Sequence, residues 1–234
     1  YQAKKMLFER CDFAIINTDD AYGERLMQEV TCDRYAYGSK HTADYYADAI
    51  KLKASGTSFW FCYGEKSYPI TMRMAGMFNV ANAVAAMAVC LELGFSISRI
   101  QPVMEACTGV RGRCELIPTG KDFSVICDYA HTPDAIENIL SSVKEYTEGR
   151  LICLFGCGGN RDKTKRPKMA QAAAKYADFL MITSDNPRDE EPQAIVDDIL
   201  TGLQGTDVPY QVVLDRKEAI LESMGDLGSG DIIE

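Results

Sequence analysis

Three stretches in the second half of the chain carry residue types that do chemistry: DYAHTPD (128–134), GCGGNRDKTKR (156–166) and SDNPRDEEP (184–192). Each directly follows an apolar run that reads as a β-strand. In the first, Asp128 stands just past a strand and His131 just before a helix N-terminus, whose free N–H groups and dipole favour an anion. That spacing suits a phosphate beside an imidazole. It suits equally well an Asp128 that bonds nearby backbone and a His131 at the surface. In the third stretch, Asn186 and Pro187 set a turn that presents the planar guanidinium of Arg188, a fork that pairs bidentately with a carboxylate. Asp185 beside it accepts from an ammonium, so the two together suit an amino acid. The alternative is an N-capping turn in which Arg188 pairs with Glu190 or Glu191. The second stretch invites a dinucleotide reading, and with it an NAD-dependent oxidoreductase. But GxGxxG needs a glycine where Arg161 stands, and no acidic ribose reader follows. A loop whose backbone closely approaches a ligand, with Arg161 and Lys163 against an anion, fits better; a tight polar turn is the plain alternative. No GxxxxGK[ST] phosphate loop occurs in the 234 residues.

Such loops act together only if a scaffold delivers them to one edge. From residue 111 the pattern alternates: strands at Ser124 to Cys127, Leu151 to Phe155, Phe179 to Thr183 and Tyr210 to Leu214, and a further strand begun by Ile232. Helices fall between them, the first capped by Thr132 and opened by Pro133, with apolar residues at Ile136, Ile139, Leu140 and Val143. This β-α-β-α order predicts a mostly parallel, doubly wound sheet, with ligands at the carboxyl ends of its strands. Before it come a helix over 1–9, a strand from Phe13 to Asn17, a helix to about Val30, and strand candidates at Tyr35 to Tyr37, Ile50 to Lys53, Ser58 to Tyr63 and Tyr68 to Met74. Asn79 to Leu93 is apolar on nearly every face and predicts a central, buried helix ended by Gly94. Ser96 or Ser98 caps the next helix, to about Cys107. GVRGRCE (109–115), with two glycines and two arginines, marks a domain boundary.

Composition narrows the function classes. The chain has Lys+Arg 25 against Asp+Glu 34, a net charge of −9, 47% hydrophobic and 25% charged residues. These values fit a globular protein of one or two domains, too apolar for disorder and too acidic to hold nucleic acid on a broad basic surface. No apolar run is long enough to cross a bilayer. The nine cysteines are scattered, odd in number and without a CxxC pair, which predicts buried reduced thiols in a cytoplasmic protein; a zinc site is disfavoured, with only His41 and His131 to supplement them.

Taken together and in this order, FNVANAVAA (78–86), GVRGRCE (109–115), DYAHTPDA (128–135), GCGGNRDKTKRP (156–167) and SDNPRDEEP (184–192) resemble the Mur ligases of peptidoglycan synthesis, over essentially the whole chain. The tetrad Asp185, Asn186, Pro187 and Arg188 resembles the form found in the branch that adds meso-diaminopimelate, whose distal carboxylate suits Arg188. The resemblance implies a central ATP-binding domain over 1–110 followed by a Rossmann-like, doubly wound C-terminal amino-acid-binding domain over 111–234. It implies ATP and Mg2+ as cofactors. Its substrates would be UDP-MurNAc-L-Ala-D-Glu and meso-diaminopimelate, joined through an acyl phosphate. It also implies a monomer in the cytoplasm that engages neither nucleic acid nor membrane. By position, Lys4 would be the lysine whose carbamate supports a magnesium, selected over Lys5 by the K-x-x-L-F spacing. Asn79 and Asn82 would face adenine, against a plainer role in helix-capping contacts. Arg113, Asp128 and His131 would contact ribose and phosphates, and Arg161 would bind diaminopimelate beside the tetrad. The family's UDP-binding domain, its phosphate loop and its GKGHE-like segment have no counterpart in these residues, so the 234-residue piece alone is expected not to ligate. Folylpolyglutamate synthase, a sister ligase, and a non-catalytic nucleotide- or amino-acid-binding module are the competing readings.

Overall fold

The computed structural model describes residues 1–53 and 55–234. The chain divides into two compact units, Tyr1–Thr108 and Gly109–Glu234.

In the first unit, α1 (Gln2–Phe8) leads to β1 (Phe13–Asn17), α2 (Ala21–Glu29), β2 (Asp33–Gly38), β3 (Tyr45–Lys53), β4 (Gly56–Tyr63) and β5 (Lys66–Met72). These strands form one sheet in sequence order, parallel from β1 to β3 and antiparallel from β3 to β5. Asp20 caps α2, its carboxylate accepting from the backbone N–H of Tyr22 and Gly23. Then α3 (Met77–Glu92) and α4 (Ile97–Ala106) pack on the sheet. The core joins Phe59, Phe61, Ile70 and Met72 to Val80, Val84 and Met87 of α3. Burial of α3 is one-sided, contrary to the apolar run's suggestion. Val80, Ala83, Val84, Met87 and Ala88 are inside, while Asn82, Ala86 and Val89 are exposed. Small alanines fill both faces, so apolar character alone does not reveal which side packs.

The second unit holds β6 (Glu115–Ile117), β7 (Ser124–Cys127), α5 (Pro133–Lys144), β8 (Leu151–Phe155), α6 (Lys165–Ala174), β9 (Phe179–Ile182), α7 (Pro192–Leu200), a 3-10 turn (Thr201–Leu203), β10 (Tyr210–Val212), α8 (Arg216–Gly225) and β11 (Ile232–Ile233). The strand order is β10-β9-β8-β11-β7-β6, parallel throughout except for β6 at the edge. The expected doubly wound sheet is therefore present, with one short antiparallel strand added. β8 is buried along nearly its whole length because helices cover both faces of a parallel sheet. Thr132 caps α5 through its hydroxyl, which accepts from Ala135 N–H at 3.2 Å, and Pro133 occupies the first turn.

All nine cysteines are free thiols, but the expectation that they are buried holds for only part of the set. Cys62, Cys114, Cys153 and Cys157 are buried, Cys11, Cys32, Cys90 and Cys107 are half-buried, and Cys127 is exposed. Cys127 is the last residue of β7, in register with Glu115 of the antiparallel edge strand.

Candidate functional site

The loops after β7, β8 and β9 leave the carboxyl ends of parallel strands, and the last two lie against each other. What closely approaches the GCGG backbone is the neighbouring loop. A Cβ on Gly156 would stand 2.3 Å from the Thr183 carbonyl oxygen, and one on Gly159 only 1.8 Å from that of Pro187. Glycine is required here because two backbones touch, which accounts for the glycines without any pyrophosphate. Gly159 N–H donates to the Asn186 carbonyl at 2.8 Å. Asn160 donates from its backbone to Glu190 at 2.6 Å and from its amide to Asp189 at 2.7 Å. Arg188 Nη1 donates to the Gly159 carbonyl at 2.7 Å. Asn160 and Arg188 both have φ of 51°, a left-handed conformation uncommon outside glycine. Backbone strain of this kind persists only where the surroundings enforce it, and it clusters at functional sites.

The Arg188 guanidinium and the aliphatic stem of Arg161 both lie over Gly158. A Cβ placed there would lie 2.9 Å from Arg188 Nη1 and 3.9 Å from Arg161 Cγ. Asp185 and Asn186 are exposed on the same loop, with Pro187 half-buried. The alternative pairing of Arg188 with Glu190 is not found, and one expected contact, that of Lys163, differs. Glu190 is bound to Arg166 and Lys163, not to Arg188. Lys163, expected against a ligand anion, spends its charge on Glu190 at 2.9 Å. These cations, Arg166 foremost, together with the Asn160 N–H, push the Glu190 carboxyl down to about 2. Its unfolded value is near 4.5, so ionised Glu190 stabilises the fold in full above that value, and the contribution fades as pH falls toward 2. Acid titration followed by circular dichroism is expected to show unfolding over this window, and Glu190→Gln is expected to flatten it. An unchanged acid profile in the variant would refute the assignment.

On the loop after β7, the Asp128 carboxylate accepts from Cys114 N–H at 2.7 Å. His131 Nδ1 donates to the Tyr129 carbonyl at 2.9 Å, a bond that fixes the tautomer and leaves Nε2 as the exposed acceptor of the neutral ring. The Arg113 guanidinium lies 5.1 Å from the Tyr129 ring centre, and the Tyr129 and His131 rings are 4.9 Å apart. Arg113 and His131 therefore flank Tyr129, which the sequence did not single out, while the Asp128 carboxylate is held at the backbone next to Arg113. Lys165 Nζ donates to the His131 carbonyl at 2.8 Å and ties this loop to the next.

In the first unit, Lys4 is exposed and lines a cavity of ≈ 660 Å3 with Asn17, Asp20 and Tyr37. Lys5, its neighbour, is committed to Glu29 at 2.7 Å. Asn79 Nδ2 donates to the Ala75 carbonyl at 2.7 Å, a helix-start contact, and Asn82 is exposed one turn on. Among the described residues, no group of three or more His, Cys, Asp or Glu is arranged to hold a metal. A further cavity of ≈ 470 Å3 lies beneath α8, lined by Arg150, Phe179, Gln211 and Glu222. Arg150 in it is paired with Asp231 and Glu222 accepts from Gln211, and it lies away from the three loops.

Comparison with known proteins follows the same division. Residues 1–90 match the model of the Mur ligase middle domain, and residues 112–233 match that of the Mur ligase, glutamate ligase domain. The UDP-N-acetylmuramoyl-L-alanyl-D-glutamate--2,6-diaminopimelate ligase of Syntrophomonas wolfei is 43% identical over 99% of this chain and 48% of its own length. The corresponding ligase 1 of Clostridium acetobutylicum is 42% identical over 100% of this chain and 48% of its own. The chain thus spans about half the length of the curated relatives it matches. A solved structure of a UDP-N-acetylmuramoyl-L-alanyl-D-glutamate--2,6-diaminopimelate ligase superposes with a TM-score of 0.69 at 32% identity, covering 99% of this chain and 49% of that one. Folylpolyglutamate synthase of Thermotoga maritima superposes at 0.64 with 21% identity over 92% of this chain and 49% of its own, which shows a shared fold alone.

Proposed function

Because the chain belongs to the Mur ligase family, we propose that it forms the middle and amino-acid-binding parts of an ATP-dependent ligase that adds meso-diaminopimelate to UDP-MurNAc-L-Ala-D-Glu in peptidoglycan synthesis. In this reaction the D-Glu carboxylate takes the terminal phosphoryl group of ATP. An amine of diaminopimelate attacks the acyl phosphate, and phosphate leaves the tetrahedral intermediate. Mg2+ would neutralise charge on the phosphoryl group in transit.

The approach of the Arg188 guanidinium and the Arg161 stem over Gly158, on loops at the carboxyl edge of a parallel sheet, carries this reading. On this reading the two side chains, one from each loop, bring their guanidinium groups to one anion that is also positioned by shape. The distal carboxylate of diaminopimelate is such an anion; lysine has none. Asp185, Asn186 and Pro187 shape the other wall, and Asp185 accepts the distal ammonium. Arg113, Asp128 and His131 face ribose and phosphates. His131 Nε2, an acceptor when neutral and a donor when protonated, is suited to phosphate oxygens. In the first unit, Asn79 and Asn82 serve the adenine side. Lys4, exposed beside Asn17 and Asp20, has room to carry a carbamate and offer Mg2+ the hard oxygen ligands it prefers. Among the described residues no helix is long and apolar enough to cross a membrane; the assignment of a monomeric cytoplasmic enzyme rests on the family reading alone.

Calorimetric titration of the chain with meso-diaminopimelate and with L-lysine tests the reading. Diaminopimelate is expected to bind at least ~10-fold more tightly, the value of one charge-assisted contact. Equal affinity, or preference for lysine, would remove the basis for assigning this substrate.

A further inference from the structure

Arg166 is the one buried basic side chain among the described residues, 1% exposed, on the first turn of α6. It shares the core face with Met169, Ala170 and Ala173, all of them buried, at the spacing of successive helical turns. A guanidinium withdrawn from water carries a desolvation cost unless carboxylates neutralise it. Two do so here. Glu190 takes it as a fork, with Nη1 to Oε2 at 3.0 Å and Nη2 to Oε1 at 2.9 Å. Asp198, on α7, accepts from Nη1 at 2.8 Å.

The partners place Arg166 at a junction. Glu190 lies on the loop after β9, and the same carboxylate receives Asn160 N–H and Lys163 Nζ from the loop after β8. Arg166 Nη2 also reaches the Gly158 carbonyl at 3.4 Å. One buried cation therefore holds both loops, with one of its carboxylates, Glu190, on the second loop and the other, Asp198, on the helix that follows it. Asn160 and Arg188, the two strained residues of the site, lie on these held loops. Arg166 cannot touch a ligand, since the fold encloses it.

We propose that Arg166, anchored by Glu190 and Asp198, is the positioning residue of the amino acid pocket, locking the 156–164 and 184–191 loops in register so that Arg161 and Arg188 address one ligand. This rests on the pocket reading above and adds how the pocket is held. A salt bridge with only a structural role would lower the melting temperature and leave ligand affinity alone. A positioning pair changes affinity through loops it touches while the sheet stays intact.

The test is amide hydrogen exchange on the ligand-free chain together with calorimetric titration with meso-diaminopimelate. In Glu190→Gln, protection of the Gly159 and Asn160 amides is expected to fall at least ~10-fold, while β8 and β9 amides keep theirs. The Kd for diaminopimelate is expected to rise at least ~10-fold. Asp198→Asn removes one of the two anchors at the surface and is expected to move both readouts the same way, by about 3-fold. Unchanged loop protection overturns the proposal, and so does lost protection with affinity intact. If Glu190→Gln does not fold, Asp198→Asn decides by the same two readouts. If the wild-type chain binds no diaminopimelate, the substrate reading fails, and the exchange measurement alone decides whether Arg166 locks the loops.

Discussion

Gly159→Ala is expected to lower the stability of the second unit by about 3 kcal/mol or more, since overpacking costs roughly 1–3 kcal/mol and each lost hydrogen bond about 1. The added methyl carbon would sit 1.8 Å from the Pro187 carbonyl oxygen and 2.6 Å from its carbon, atoms that belong to backbone and cannot rotate aside. Relief requires the loops to part, and parting breaks Gly159 N–H to Asn186 and Arg188 to the Gly159 carbonyl. The residue's φ is not in the left-handed region, so the cost is steric and not conformational. Gly205→Ala separates the two causes. Gly205 has φ of +82° and open space around its missing Cβ, so alanine there should cost only about 1 kcal/mol. Urea unfolding of the three chains, followed by circular dichroism, provides the comparison, with the midpoint falling and the slope kept. A Gly159→Ala change below about 0.5 kcal/mol, within the range of ordinary surface substitutions, would show that the loops are not apposed as described.

Some of this organisation is readable from residues alone. The alternation after residue 111 specifies a parallel sheet because strands buried on both faces must be continuously apolar, as LICLF is. The same logic places three polar loops at its carboxyl edge. The meaning of the glycines is not local, however: Gly156 and Gly159 are explained by Thr183 and Pro187, more than twenty residues away, which no pattern within the loop contains. For the same reason Glu190 reads naturally as a partner for Arg188, two residues back, when its cations lie on the other loop and helix. Arg166 did leave a signal. A cation at the first position of an apolar i, i+3, i+4, i+7 stripe (Met169, Ala170, Ala173) must be paired once that face is covered. The opposite failure occurs at α3, where alanine on every side conceals which face is inside. An exposed tyrosine carries no sequence pattern, so only the positions of Arg113 and His131 around Tyr129 give it a place in the site.

Arg188→Ala is expected to weaken meso-diaminopimelate binding by about 30- to 1000-fold, the equivalent of roughly 2–4 kcal/mol for removing one partner of a charge-assisted, partly desolvated pair. Loss of affinity alone would be ambiguous, because Arg188 also donates to the Gly159 carbonyl and helps hold the loops together. The ligand resolves this. If the variant merely disorders the pocket, diaminopimelate and lysine should lose affinity in equal proportion. If the guanidinium pairs with the distal carboxylate, diaminopimelate should fall to the level of lysine while lysine itself hardly changes, since it has no carboxylate there to lose. Arg188→Lys sharpens the comparison: the charge remains but the planar fork does not, so binding should recover only in part. Arg161→Ala is expected to follow the same pattern, because its side chain approaches the same point over Gly158 from the other loop. The two arginines should also be non-additive, since each helps to place the anion for the other. Equal losses for both ligands in Arg188→Ala would assign this residue to loop structure and leave the choice of diaminopimelate over lysine to be made elsewhere in the pocket.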